Sequence, residues 1–257
     1  VEAEEDTSAD IGLRAEEVAE WYFRLNGFFL IPGFIVHPDE MRNTPRTEAD
    51  LLGIRLKHSK ESLWRPNKHV HFRTGTNRAD MNDDRVFTQA SQVGSKRKHL
   101  VAMVEVKASK CSINGPWSHE GKELQGPGKN NMERALSRVG FGNDDEISNA
   151  SISMYQELRY EGSEFIVQYF AIGQYRSDEL KLKYPKLIQI TFDDIGKFLR
   201  WRFNGFPEKI PEKASITLWP GFGSKFTNWF QRNGYTVSPS DEKCQRAIKN
   251  YIKFGEC

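Results

Sequence analysis

Apolar residues recur at helical spacing from Ile11 to Leu25, with Leu13, Val18, Trp21, Tyr22 and Leu25 on one face. A helix is predicted there, ended by the C-cap pair Asn26-Gly27. The apolar run FFLIPGFIV predicts a strand over 28–36, with a bulge or bend at Pro32-Gly33. A second strand is predicted over 47–56, TEADLLGIRL. The most apolar stretch, LVAMVEVKAS over 100–109, predicts a buried central strand. Further strands are expected over 165–173 and 187–192. Helices are expected over 132–139, 152–160 and 194–203, and near 224–233 and 241–254. Residues 110–131, rich in Gly and Pro, read as a loop.

Charge changes this picture in three places. Glu105 and Lys107 leave the central strand on one face, because side chains alternate along a strand. A carboxylate and an ammonium at the end of a buried strand need pairing or a bound metal. An isolated pair of this kind is most simply a salt-bridged strand end. The same alternation puts Glu48 and Asp50 on one face of the second strand. Finally, the polar segment 57–99 carries ten bases and four acids in a chain whose formal net charge is +2. That segment, with Arg73, Lys96, Arg97 and Lys98, is the expected contact for phosphates, unless it is simply a solvated loop.

The 257 residues divide into an acidic leader (1–10), a core (11–203) containing the basic insertion (57–99), and an accessory region (204–257). Aromatic and basic residues mingle in the last region, a pattern that serves either single-strand binding or an ordinary helical core. Cys111, Cys244 and Cys257 form no disulfide framework and no metal-binding pair, so a reducing cytoplasm is expected. No apolar run is long enough to span a bilayer. His69-x-His71 lacks a partner pair at zinc spacing, and GKELQGPGKN lacks the order of a phosphate-binding P-loop.

The order of these elements is a helix with Glu16, a strand, a strand with Asp50, a strand with Glu105-x-Lys107, a helix and a strand. In this the chain resembles the PD-(D/E)xK, or restriction-endonuclease-like, nuclease superfamily, in its resolvase-like and Mrr-like branches. AEEVAEWYFRLNGFFL resembles the first helix and strand, TEADLLGIR the Asp strand, and VEVKAS the Glu-x-Lys strand. The resemblance covers 11–56 and 100–109. Glu16, eleven residues before Gly27, is the best match to the helix carboxylate, with Glu17 and Glu20 next.

The resemblance implies an α/β fold, a central mixed β-sheet flanked by helices in the order α-β-β-β-α-β, here with a helical C-terminal extension. It also implies a Mg²⁺- or Mn²⁺-dependent nuclease acting on DNA rather than RNA, in genome defence, restriction or repair. A homodimer or a partner protein is compatible with it. Asp50, Glu105, the Val106 carbonyl and Glu16 would hold the metal, which would lower the pKa of water and offset transition-state charge. Lys107 would hold or deprotonate the attacking water, and Ser109 and Lys110 would contact the substrate backbone. The 55-residue separation of Asp50 from Glu105 exceeds the usual family spacing and leaves Asp84, beside Asp83, as a rival. The alternatives to an enzyme are a catalytically silent nucleic-acid-binding module on the same fold, or a protein-interaction domain.

Overall fold

The computed structural model describes residues 14–36, 47–59, 61–64, 78–81, 84–117 and 127–204. Over these the chain is an α/β protein, a mixed six-stranded sheet packed with helices. Helix α1 (Ala15–Leu25) buries Val18, Ala19, Tyr22 and Phe23. Its first turn is closed by the Glu17 carboxylate, which accepts the Arg14 backbone N–H at 2.7 Å. Gly27, at φ +79°, turns the chain out of the helix. Strand β1 (Phe28–Val36) follows and pairs antiparallel with β2 (Thr47–Arg55). The expected bulge at Pro32-Gly33 does not shift the register: Pro32 faces Leu51 and Phe34 faces Ala49. Proline is tolerated because β1 is an edge strand.

The segment expected to be a polar insertion is more structured than its composition suggests. It contains the hairpin β3 (Glu61–Trp64) and β4 (Arg78–Met81), helix α2 (Arg85–Ala90), and the short hairpin β5 (Gln92–Val93) and β6 (Lys96–Arg97). Helix α2 is capped by Asp84, whose side chain accepts the Val86 N–H at 3.1 Å. It delivers Phe87, fully buried, against Phe23, Phe28 and Phe170. Part of the supposed insertion therefore completes the core.

Strand β7 (His99–Val106) lies at the centre, antiparallel to β2. Beyond it come a 3₁₀ turn (Gly115–Trp117), α3 (Pro127–Val139) and α4 (Asp144–Glu157). Strand β8 (Arg159–Glu161) runs antiparallel to β9 (Phe165–Gly173), and β9 runs parallel to β7. Helix α5 (Asp178–Lys183), strand β10 (Ile188–Thr191), parallel to β9, and helix α6 (Phe192–Asn204) complete the order. The sheet reads β1-β2-β7-β9-β10, with β8 also on β9.

Alternation along β7 divides the core into two layers. Leu100, Ala102, Val104 and Val106 pack with α1, α2 and α6. Val101 and Met103 pack with α3, α4 and Trp117. The helices expected near 224–233 and 241–254 lie outside the described residues, as do Arg73 and His69-x-His71. No helix among the described residues is long and apolar enough to cross a membrane.

Candidate functional site

The ladder between β2 and β7 stops at the pair Leu51 and Val104, so Asp50 and Glu105 come next, just past its end. There the Asp50 carboxylate (Oδ2) accepts the Val106 backbone N–H at 2.6 Å, standing in for a backbone carbonyl. Glu105 is 3% exposed and ion-paired with the half-exposed Lys107 ammonium. The Lys107 backbone N–H donates to the Ile172 carbonyl at 2.9 Å, which extends the strand pairing through this residue. The chain then runs on along β9, and Cys111 N–H donates to the Tyr175 carbonyl at 2.7 Å. Gly173 permits this close approach, since a Cβ there would lie 2.6 Å from the Cys111 nitrogen and 2.7 Å from the Ser109 carbonyl oxygen.

Three glutamates of α1 were candidates for the helix carboxylate, and their contacts separate them. Glu17 is engaged with Arg14 and Glu20 with Arg24. Glu16 acts electrostatically on both Asp50 and Lys107, so the start of α1 lies by the site. Glu48 likewise acts on Asp50 and Glu105. Negative charge at this strand end thus exceeds the single ammonium of Lys107.

The titration of these groups reflects that excess. Burial raises the Asp50 pKa, aided by Glu16 and Glu48 and opposed by the Val106 N–H and Lys107. Burial, with the Asp50 charge, pushes Glu105 up to about 7 against the hydrogen bond and charge of Lys107. Burial alone would lower the Lys107 pKa. The hydrogen bond and charge of Glu105, with Asp50 and Glu16, outweigh it, so the pKa rises and the ammonium stays charged.

A stability prediction follows for the metal-free protein. With the native Glu105 pKa at about 7 against 4.5 in the unfolded chain, the native state binds more protons between those values. Stability therefore falls as pH rises through that window, by on the order of 3 kcal/mol from this residue. Glu105→Gln should flatten that slope and be the more stable protein at pH 8. Urea denaturation at pH 5 and pH 8 checks this, and an unchanged slope in the variant would count against it.

The donor types suit a small hard cation. Two buried or half-buried carboxylates and the nearby main-chain carbonyl of Val106 are oxygen ligands of the kind Mg²⁺ and Mn²⁺ take, with water completing the shell. The carboxylate excess favours a cation as well. Among the described residues, however, no three His, Cys, Asp or Glu side chains converge closely enough to make a metal cluster. Glu16 is thus a neighbour of the candidate ligands Asp50 and Glu105 and does not form a compact triad with them.

The rival Asp84 is engaged elsewhere. Besides capping α2, it accepts a hydrogen bond from the buried Tyr22 hydroxyl at 2.6 Å, and its own N–H donates to the Asn26 side chain at 2.7 Å. The basic residues divide. Lys110 and Ser109 are exposed and directly follow the site. Lys96, Arg97 and Lys98 precede β7, so they lie near its other end, roughly 20 Å from Glu105 at the rise of a strand. Lys98 donates to the Gly162 carbonyl there. The strand's direction thus sets these three bases apart from the Glu105 end.

Sequence reasoning missed the support beneath the site. Tyr169, on β9, is fully enclosed, and burial, followed by the nearby Glu105 charge, holds its hydroxyl well above the usual phenol range. Trp117, fully buried, donates its indole N–H to the Glu48 carbonyl at 2.9 Å, and the Asn114 amide donates to the same oxygen at 3.4 Å. Tyr169 lay hidden inside an apolar strand sequence, and only the alternation that puts it on the Glu105 face could have marked it. Comparison with protein families, with curated proteins and with solved structures finds no match to this chain.

Proposed function

We propose that the chain is a divalent-metal-dependent nuclease that hydrolyses phosphodiester bonds, with DNA as its substrate, on a restriction-endonuclease-like core. The observation that carries this reading is the meeting of Asp50, Glu105 and Lys107 at one strand end, from strands 55 residues apart in sequence. A divalent cation held there would supply a Lewis acid and a counter-charge for the phosphodiester. Asp50 and Glu105 hold it, and Glu16 adds negative potential from α1. Lys107 orients the attacking water and meets the phosphate, and Ser109 and Lys110 contact the backbone beyond. DNA over RNA, and a role in genome defence, restriction or repair, rest on the resemblance of VEVKAS, TEADLLGIR and the first helix to that superfamily.

The absence of three convergent metal-ligating side chains among the described residues favours a second reading, a catalytically silent nucleic-acid-binding module on the same fold. Incubation of the full chain with single- and double-stranded DNA and RNA, with Mg²⁺, Mn²⁺ or a chelator, separates the two. The nuclease reading expects cleavage that needs metal and is lost in Asp50→Ala. Salt-dependent binding without cleavage, unchanged in Asp50→Ala, would establish the silent module instead.

A further inference from the structure

We propose that Tyr175 is a stacking platform for an unpaired base of the substrate, close to the site at Glu105 and Lys107. The inference rests on the reading of that site as one for nucleic acid, and it adds a preference for single-stranded or frayed substrate. Its ground is where the ring is mounted. Strands β7, β9 and β10 run parallel, so their C-terminal ends lie together on the edge that carries Glu105 and Lys107. Tyr175 stands two residues past the end of β9, in a parallel bridge with Lys110. Lys110 is three residues past Lys107, so at the rise and spacing of strands Tyr175 lies roughly 10 Å from Lys107. That is the span of about three nucleotides of a helical strand. The carboxyl ends of parallel strands are also where open α/β sheets take their ligands.

The segment that carries the ring is fastened on both sides. The Tyr175 carbonyl accepts the Cys111 N–H at 2.7 Å, and the Gln174 N–H donates to the Ser109 carbonyl. Toward β10, the Ser177 N–H donates to the Gln189 side chain at 2.6 Å, and the Gln189 amide donates back to the Ser177 carbonyl at 2.9 Å. Arg176 pairs at 2.7 Å with Asp194, a carboxylate that also accepts the Thr191 N–H and hydroxyl at the end of β10. Each residue from Gln174 to Ser177 is thus tied to a neighbouring element, while Tyr175 is 62% exposed. A single exposed aromatic is ordinary on a protein surface. This one sits on an ordered segment, so a ligand meeting it has little further ordering to offset. It also stands beside the exposed Lys110 and near the half-exposed Lys107. A phosphate backbone drawn to those ammoniums brings its bases within reach of the ring, the combination that binds single strands. A base inside a duplex has both faces covered by its neighbours, so only an unpaired or terminal base can lie on the phenol.

The test is binding of the full chain to a fluorescent oligothymidylate and to a blunt duplex of the same length, read by anisotropy over a range of salt. It is run in chelator and again in Ca²⁺, a hard cation for the same oxygen ligands. Tyr175→Ala is expected to bind the single strand about 5- to 150-fold more weakly, the range that stacking of one base supplies. Its salt slope should not change, because the lost contact carries no charge. Lys110→Ala should instead flatten the slope by about 0.7, for the one phosphate it releases. Tyr175→Phe, which keeps the ring, should bind as wild type does, and the duplex should lose less than the single strand in Tyr175→Ala. Both variants at position 175 should melt as wild type does, since the side chain is exposed. Wild-type affinity of Tyr175→Ala for the single strand, or an equal loss on both substrates, would overturn the platform and leave the nucleic-acid reading standing. A loss shared by Tyr175→Phe together with a lowered melting temperature would mark a structural role and overturn it too. No salt-dependent binding of wild type to either substrate, in chelator or in Ca²⁺, would remove both readings together.

Discussion

Lys107→Ala is expected to lower the proposed metal-dependent cleavage by about 10²- to 10⁴-fold, the range lost when a positioned proton-transfer group is removed. The ammonium pairs with Glu105 and also acts on Asp50, so its loss has two consequences. The phosphate and the attacking water lose their cationic neighbour. Glu105, 3% exposed, loses the partner that favours its ionised form, so its pKa climbs further above about 7. The variant should therefore need a higher pH as well as run slowly. Lys107→Arg should not restore the rate, because a planar guanidinium does not reproduce a compact ammonium at this distance. Initial rates on the preferred substrate, across pH 6 to 9, measure both effects. A rate within tenfold of wild type would remove Lys107 from the mechanism.

The largest loss of stability is expected from Trp117→Ala. Trp117 is the largest fully buried side chain among the described residues, in the same apolar cluster as Met132, Leu136 and Met103. Truncating a buried tryptophan costs about 3–5 kcal/mol through lost burial and the cavity left behind. The Glu48 carbonyl would also lose the indole N–H bonded to it at 2.9 Å. For a domain of this size that corresponds to a melting temperature lower by roughly 6–20 °C. Scanning calorimetry reads the change directly, and a shift under about 2 °C would mean that the indole is not the wedge its burial implies. Trp117→Phe should lie between the two proteins. Because Glu48 precedes Asp50 by two residues, the alanine variant should also need more Mg²⁺ for half-maximal cleavage.

The parts of this architecture that follow a strict period were legible in the sequence. Helical spacing marked the helix ending at Leu25 and alternation the common face of Glu105 and Lys107, while apolar runs marked the strands expected over 28–36, 47–56, 100–109 and 165–173, which lie at 28–36, 47–55, 99–106 and 165–173. Elements set by local chemistry were harder to read. Helix α3 begins at Pro127 within a Gly/Pro-rich stretch that reads as a breaker, although proline is at home in a first helical turn. Helix α4 begins at Asp144, earlier than the expected 152, with Asn143 accepting the Glu146 N–H at 2.9 Å as its cap. It ends at Leu158 in a left-handed conformation without a glycine to announce it, so β8 was hidden in the expected helix. The placement of the basic residues was illegible for another reason. Sequence gives their density, but only the direction of β7 tells which end of the sheet they occupy.

Arg55 and Leu100 are register partners on adjacent strands. The chain between them is therefore a round trip, leaving the sheet and rejoining it at almost the same point. Closing such a loop grows costlier only with the logarithm of its length, about 0.6 kcal/mol for each doubling. The number of residues between Asp50 and Glu105 can therefore drift widely while their separation in space is held by the β2–β7 pairing. Lineages that lengthen or trim this excursion, provided they keep the α2 aromatic plug, can redesign one end of the molecule without moving an atom at the other.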